Sequence, residues 1–343
     1  MPFTAAELVN ISNATLDVYL KKQPTSSTIQ NKPFLKALMA KKKTFPGGKG
    51  EISLPVKGDY TTTLQGYTHN DQVGYSNPAN IKRAAYPWKE LHCGIELTLT
   101  ELKHDGISIT DSAMGDKTSE HSDRELTRLV NILEDKYEDM NEGYERSLNE
   151  MLWKDGTQDA KEIPGIRALV KNVPTTGTVG GLDQSVLTWW RNRTSLSVDS
   201  STPSNQNMIN TLQAEWRQLR RFGGNPDLFL AGSDFPDALE KEIRSSGTYT
   251  DNGFTGKQDA SMGDIMWKGK PIVYDPTLDD LSLDKFLFVF DTSHVYLDCM
   301  EGEDKKVHFP ARPHDEYVMY RAFTTTAGMC ADQLNCHGVY SIA

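Results

Sequence analysis

Four groupings of residues in this chain could do chemistry. Cys330, Cys336 and His337 place two thiols and an imidazole close together, with His92 and Cys93 as a second pair elsewhere. Thiolates and imidazoles are zinc ligands, but zinc sites draw on Cys-x2–4-Cys spacings, which Cys-x5-Cys-His does not match. Small buried cysteines are the better reading, and no metal is expected. His104-Asp105 and His314-Asp315 each set an imidazole beside a carboxylate, as acid–base chemistry requires. Neither comes with a nucleophile in a recognisable setting. The acidic pairs between residues 122 and 155 read as a solvated helix face rather than as paired catalytic carboxylates. PGGKGE, at residues 46 to 51, lacks the spacing and the Ser/Thr of a phosphate loop, and GxGxxG, GxSxG and HExxH are absent. Neither catalysis nor a cofactor is expected.

Function must then rest on what the elements present to other molecules. The chain has 343 residues, a 37% hydrophobic composition and a net charge of -10, with a mean hydropathy of -0.54. The length suits about two domains, yet the apolar content sits at the bottom of the range for compact proteins even with glycine included. Part of the chain is therefore expected to pack against neighbours. No stretch reaches the roughly 18 apolar residues of a membrane helix. The opening MPFTAAELVN has neither the basic nor the apolar region of a secretion signal. Four cysteines make no disulfide framework, so a cytosolic product is expected, and the sequons at Asn10, Asn13 and Asn192 read as chance matches.

Charge is unevenly placed. Eight lysines in residues 1 to 50, among them Lys41, Lys42 and Lys43, face only Glu7 and Asp17, a net of +6 that leaves -16 for the rest. A basic arm ahead of an acidic body can serve nucleic acid or an acidic protein face, or can be a solvated helix face. The acidic body argues against a tight grip on duplex DNA, which needs many cation–phosphate contacts.

TAAE at residues 4 to 7 is a capping box for a short helix, and Pro33 opens a second over FLKALMAKKK. Ile52, Leu54 and Val56 then alternate as a strand, and Leu91, Cys93, Ile95, Leu97 and Leu99 as another. Between them, residues 57 to 90 hold few aliphatics but five aromatics: Tyr60, Tyr67, Tyr75, Tyr86 and Trp88. An extended hairpin lying on another molecule fits this composition. A lid or sheet edge within the subunit is the other reading. Ser122 to Glu125 caps a long helix ended by Lys154-Asp155-Gly156, with an apolar stripe running from Leu126 to Leu152. An α/β pattern follows. It has a helix over residues 204–222, strands at 227–231 and 286–290, a helix from Ser233, an exposed loop over 245–263 and a hairpin at 265–274. Alternating strands return from Val295 to the closing GVYSI.

The order of these parts resembles the tailed-phage major capsid proteins of the Hong Kong 97 type across essentially the whole chain. The stretches most like that family are WKGKPIVYDP (residues 267–276), FLFVFDTSHVYL (286–297) and YRAFTTTAGMCADQLNCHGVYSI (320–342). The resemblance implies an α+β fold with an N-arm (residues 1–45) and an extended β-hairpin loop (46–92). It implies a peripheral domain (93–157 and 296–326) carrying the spine helix (122–154), and an axial domain (158–295 and 327–343). It implies a structural role: hexamers and pentamers closing into an icosahedral shell around phage double-stranded DNA, in a virion assembled in the host cytoplasm. Only about 45 residues precede the loop, so the family's long N-terminal scaffolding domain is absent and a separate scaffolding protein is implied, beside a portal protein and a decoration protein. Lys49 and Lys57 lie where some relatives form a Lys–Asn cross-link, but no partner is identified and none is expected here. Tyr60, Tyr67, Tyr75, Tyr86 and Trp88 become intersubunit contact candidates, and Lys41, Lys42 and Lys43 basic contacts of the arm with DNA. Deleting residues 58 to 84 is expected to leave folded monomers. An encapsulin-like nanocompartment, a cytosolic α/β enzyme and a tail or baseplate protein are the alternatives.

Overall fold

A computed structural model of the chain describes residues 3–4, 30–58, 60, 62–77, 80–104, 109–110, 123–245, 265–308, 310 and 318–343. The TAAE box beyond Thr4, Ser122, the 246–264 loop, Asp105 and the His314-Asp315 pair lie outside these residues. Two compact units divide the chain. One comprises residues 1–30, 90–148 and 300–326, and the other residues 31–89, 149–299 and 327–343.

In the first unit, the alternating stretch forms β5 (Lys89–Thr98), whose odd-numbered side chains turn inward while its even-numbered ones face out. Its Cys93 thiol donates to the Met140 carbonyl at 3.5 Å. Leu99, expected to continue the strand, instead opens helix α2 (Leu99–His104). The reason is a cap: the Thr98 hydroxyl accepts from the Glu101 backbone N–H at 3.3 Å, the first half of a Thr-x-x-Glu box. The long helix α3 runs Asp123–Trp153, about 46 Å at 1.5 Å per residue. Leu129, Leu133, Tyr137, Met140, Tyr144 and Leu148 form its buried stripe. Tyr144 meets Phe323 edge-on at 4.9 Å and donates to the Thr325 hydroxyl at 2.9 Å. Strand β16 (Val318–Ala331) receives β15 (Lys306–His308) antiparallel and also pairs with β5. A short parallel pair joins β1 (Phe3–Thr4) to β6 (Ile109–Thr110).

The second unit is built on a six-stranded mixed sheet. Its order is β11 (Met266–Trp267), β12 (Lys270–Tyr274), β10 (Leu228–Ala231), β13 (Phe286–Phe290), β17 (Gly338–Ile342) and β9 (Arg193–Val198). The β11–β12 turn is tight because Lys268 and Gly269 both take positive φ, as a two-residue hairpin demands. β13 shows how the pattern sorts layers. Leu287 and Val289 join Phe229, Leu239 and Met208 under helices α5 (Asn207–Leu219) and α6 (Asp234–Ser245). Phe288 and Phe290 point the other way, onto Trp153 at 5.0 and 6.2 Å. Helix α1 (Pro33–Ala40) completes that second layer, since Phe34 lies 4.4 Å from Trp153 and 5.7 Å from Phe290. The basic segment is thus anchored by its apolar side chains. Strand β14 (Val295–Met300) pairs with the end of β16 and with β2 (Lys43–Phe45). Short pieces complete the unit: α4 (Ile166–Leu169), α7 (Pro276–Asp280), and a hairpin of β7 (Thr178–Val179) and β8 (Leu182–Asp183).

Candidate assembly surface

The aromatic stretch rises from a two-stranded stem. β3 (Glu51–Lys57) pairs antiparallel with β4 (Ile81–Pro87) from Glu51↔Pro87 to Lys57↔Ile81. The stem closes where the Gly58 N–H donates to the Asn80 carbonyl at 3.0 Å. Gly58 has to be glycine here, for a Cβ would sit 2.5 Å from the Trp189 ring. Beyond this point the described residues up to 77 form no strand, so the ladder is shorter than an extended hairpin over 57–90 would be. A turn orders part of the segment. The Asp71 carboxylate accepts from the Thr68 N–H and hydroxyl, both at 2.8 Å, and these bonds hold its pKa below the usual carboxylate value.

The five aromatic candidates divide. Tyr60, Tyr67 and Tyr75 are 78%, 69% and 95% exposed, and Leu64 is fully so. Such a run of exposed apolar side chains is a candidate interaction surface. Tyr86 is different: it is a core residue that donates to the Ala331 carbonyl at 2.7 Å, and burial raises its phenol pKa. Its inward direction follows from the register, which sets it opposite buried Ile52 on β3. Trp88 is half-buried, its indole N–H donating to the Lys49 carbonyl at 2.9 Å. A 58–84 deletion would therefore remove stem residues, including fully buried Ala84. The cut that spares the stem is residues 60 to 77.

The basic candidates also have local partners. Lys41 pairs with Asp227 at 3.0 Å, and the Lys43 ammonium stands 3.3 Å from the centroid of the Tyr296 ring. Lys42 is half-buried.

Among the described residues, those with catalytic character do not converge. Cys299, Cys330 and Cys336 are buried free thiols and Cys93 is half-buried. Cys336 lies 3.5 Å from His337 Nε2, but burial raises the thiol and lowers the imidazole to about 4. Among the described residues no group of three potential metal ligands comes together, and no helix is long and apolar enough to cross a membrane. His92 and His104 are exposed, on β5 and at the end of α2. A half-buried pair that sequence reasoning missed is His294 Nδ1 with Asp332, 2.8 Å apart; nothing in their spacing announces it.

The chain has the fold of phage capsid subunits. It resembles the chain of the cyanophage A-1(L) capsid asymmetric unit with a TM-score of 0.65 at 12% identity, over 93% of this chain and 94% of that one. For the capsid of an empty GTA particle the TM-score is 0.55 at 11% identity, over 96% and 98%. For a chain of Mycobacterium phage Bobi it is 0.55 at 11%, over 97% and 99%. No protein-family model matches the sequence, and no curated protein matches it.

Proposed function

We propose that this chain is the major capsid protein of a tailed bacteriophage, a structural subunit of the virion shell with no catalytic role. The observation that carries this reading is the whole-length likeness to capsid chains of several phages. The exposed Tyr60, Tyr67 and Tyr75 segment supports it, because a shell subunit must carry apolar surface that only a neighbour covers.

On this reading residues 1–45 are an N-arm and 46–92 an extended loop, with Tyr60, Tyr67 and Tyr75 lying on the adjacent subunit. The helix over 122–154 is the spine of a peripheral domain (93–157 and 296–326), and residues 158–295 with 327–343 form the axial domain. The division of the chain into two units with interleaved segments supports this assignment. Subunits gather as hexamers and pentamers around packaged double-stranded DNA, with a separate scaffolding protein, a portal protein and a decoration protein as partners. DNA contact at the inner face is weak, since the basic residues of the arm are partly committed to Asp227 and Tyr296. Negative-stain microscopy of the expressed chain, alone and with the scaffolding protein of the same phage, tests the reading. Closed shells of uniform size are expected; a chain that stays monomeric under both conditions overturns it.

A further inference from the structure

Within the second unit, the described surface carries a basic cleft and an acidic rim. The cleft, of about 440 Å³, is lined by Trp189, Arg191, Arg193, Arg221, Phe222 and Asn335 among others, and no carboxylate lines it. Arg193 is matched by a bidentate pair to Glu215 at 2.8 Å. Arg191 is aimed by two carbonyls, Gln184 at 2.6 Å and Ser185 at 2.8 Å, which orient the guanidinium without cancelling its charge. Arg221 lies 5.5 Å over the Phe222 ring, and Arg220 5.7 Å over that of Trp216. Neither of these two has an ion-pair partner among the described residues. Phe222 is itself 62% exposed. A concave site with aromatic walls and forked cations is suited to carboxylates.

The rim lies at the other end of the same sheet. β10 and β13 run antiparallel, Leu228 opposite Phe290 and Ala231 opposite Leu287. The cleft residues Arg221 and Phe222 come just before β10 and Asn335 just before β17, whereas the acidic residues follow β10 and precede β13. There the Ser233 N–H donates to the Asp279 carboxylate at 2.9 Å, and the Asp234 N–H to the Asp284 carbonyl at 3.1 Å. These bonds gather Asp234, Asp237, Asp279, Asp280 and Asp284, with Lys285 the only cation in that stretch. The Asp234 carboxyl is held above its usual pKa by its hydrogen bond to Asp284, with Lys285 acting in the opposite direction.

We propose that the basic cleft of one copy receives the acidic rim of a second copy. Two patches at opposite ends of one sheet cannot neutralise each other within a subunit. Joined head to tail between copies they form a heterologous contact, the kind that closes rings. The contact also offsets the self-repulsion that a net charge of -10 imposes on any assembly of identical chains. This inference rests on the capsid reading and specifies one of its interfaces.

Charge reversal tests it on the full chain. Arg191→Glu with Arg221→Glu makes the cleft acidic, since Arg193 is already matched by Glu215, and Asp237→Arg with Asp280→Arg and Asp284→Arg makes the rim basic. Sedimentation velocity should show each variant losing assembled material at least about tenfold relative to wild type, with unchanged circular dichroism. An equimolar mixture of the two should recover six-membered rings, in which the variants alternate and each reversed patch meets its complement. If a reversed chain fails to fold, Arg221→Gln and Asp280→Asn replace the pair, and each should still weaken assembly. Folded variants that assemble like wild type, or a mixture that fails to recover, overturn the interface while leaving the capsid reading in place. A wild-type chain that never assembles overturns the capsid reading, and the interface with it.

Discussion

The indole N–H of Trp153 donates to the Asp275 carboxylate at 3.1 Å, with both residues completely buried. Trp153 is the last residue of the long helix and also the hub of the Phe34, Phe288 and Phe290 cluster. Asp275 caps α7, accepting from the Thr277 N–H at 3.0 Å, and burial raises its pKa. Trp153→Phe keeps most of the ring contacts but removes one donor from a buried carboxylate, which should cost about 1–3 kcal/mol. Trp153→Ala adds a cavity and should cost about 3–5 kcal/mol. Chemical denaturation of both variants checks the ordering; equal losses would mean that the ring packing adds nothing beyond the hydrogen bond.

Two histidines should shape stability against pH with opposite signs. His337 is completely buried, accepts from the Asp291 N–H through Nδ1 at 3.2 Å and has a pKa of about 4. Unfolded, it titrates near about 6.5. The stability its neutral form contributes is therefore present above about 6.5 and lost as pH falls toward 4, by roughly 3 kcal/mol over that window. His294 is held above its usual value by its hydrogen bond to Asp332. Its contribution is present below about 6.5 and lost as pH rises through its raised folded value. Denaturation series from pH 4.5 to 8.5 should show His337→Gln flattening the acid limb and His294→Gln the alkaline one. Parallel curves for wild type and both variants would remove this account.

What the sequence showed and what it hid can be traced to particular residues. Strict alternation in Leu91 to Leu97 and the 31-residue stripe of the long helix were legible because one face of each is buried. Thr98-Leu-Thr-Glu101 held a capping box that redirects Leu99, but the apolar alternation masked it. β9, RTSLSV, was invisible because its burial barely alternates; it is defined by its parallel ladder to β17. Tyr86 and the exposed tyrosines looked alike by composition, and only the β3–β4 register separates them. Trp153, which closes the apolar stripe, gave no sign of the three phenylalanines that meet it from distant segments.

Gly232 follows β10 where the chain passes against residues 283–284. A Cβ there would lie 2.5 Å from both Cα and O of Asp284 and 2.6 Å from the Leu283 carbonyl. These are backbone atoms, which cannot rotate away. Gly232→Ala should therefore destabilise by about 1–3 kcal/mol through overpacking. Thermal unfolding measures it, with Gly50→Ala as the control, since nothing lies within 4 Å of a Cβ at Gly50. Equal midpoints for the two would show that the strand end yields more readily than its packing indicates.

Tyr60, Tyr67 and Tyr75 provide the clearest separation of folding from assembly. All three are exposed, and the stem beneath them is fixed by the β3–β4 ladder and the Gly58–Asn80 bond, neither of which involves their rings. Replacing all three by Ser should leave the denaturation midpoint of the monomer nearly unchanged, since exposed substitutions usually stay within about 0.5 kcal/mol. Assembly should fail, because aromatic anchors carry a large share of the energy of an interface. Deleting residues 60 to 77 should give the same result with the stem intact. A triple variant that loses monomer stability would show that the segment packs on its own subunit. One that forms shells in normal yield would show that its aromatic surface is not an assembly contact.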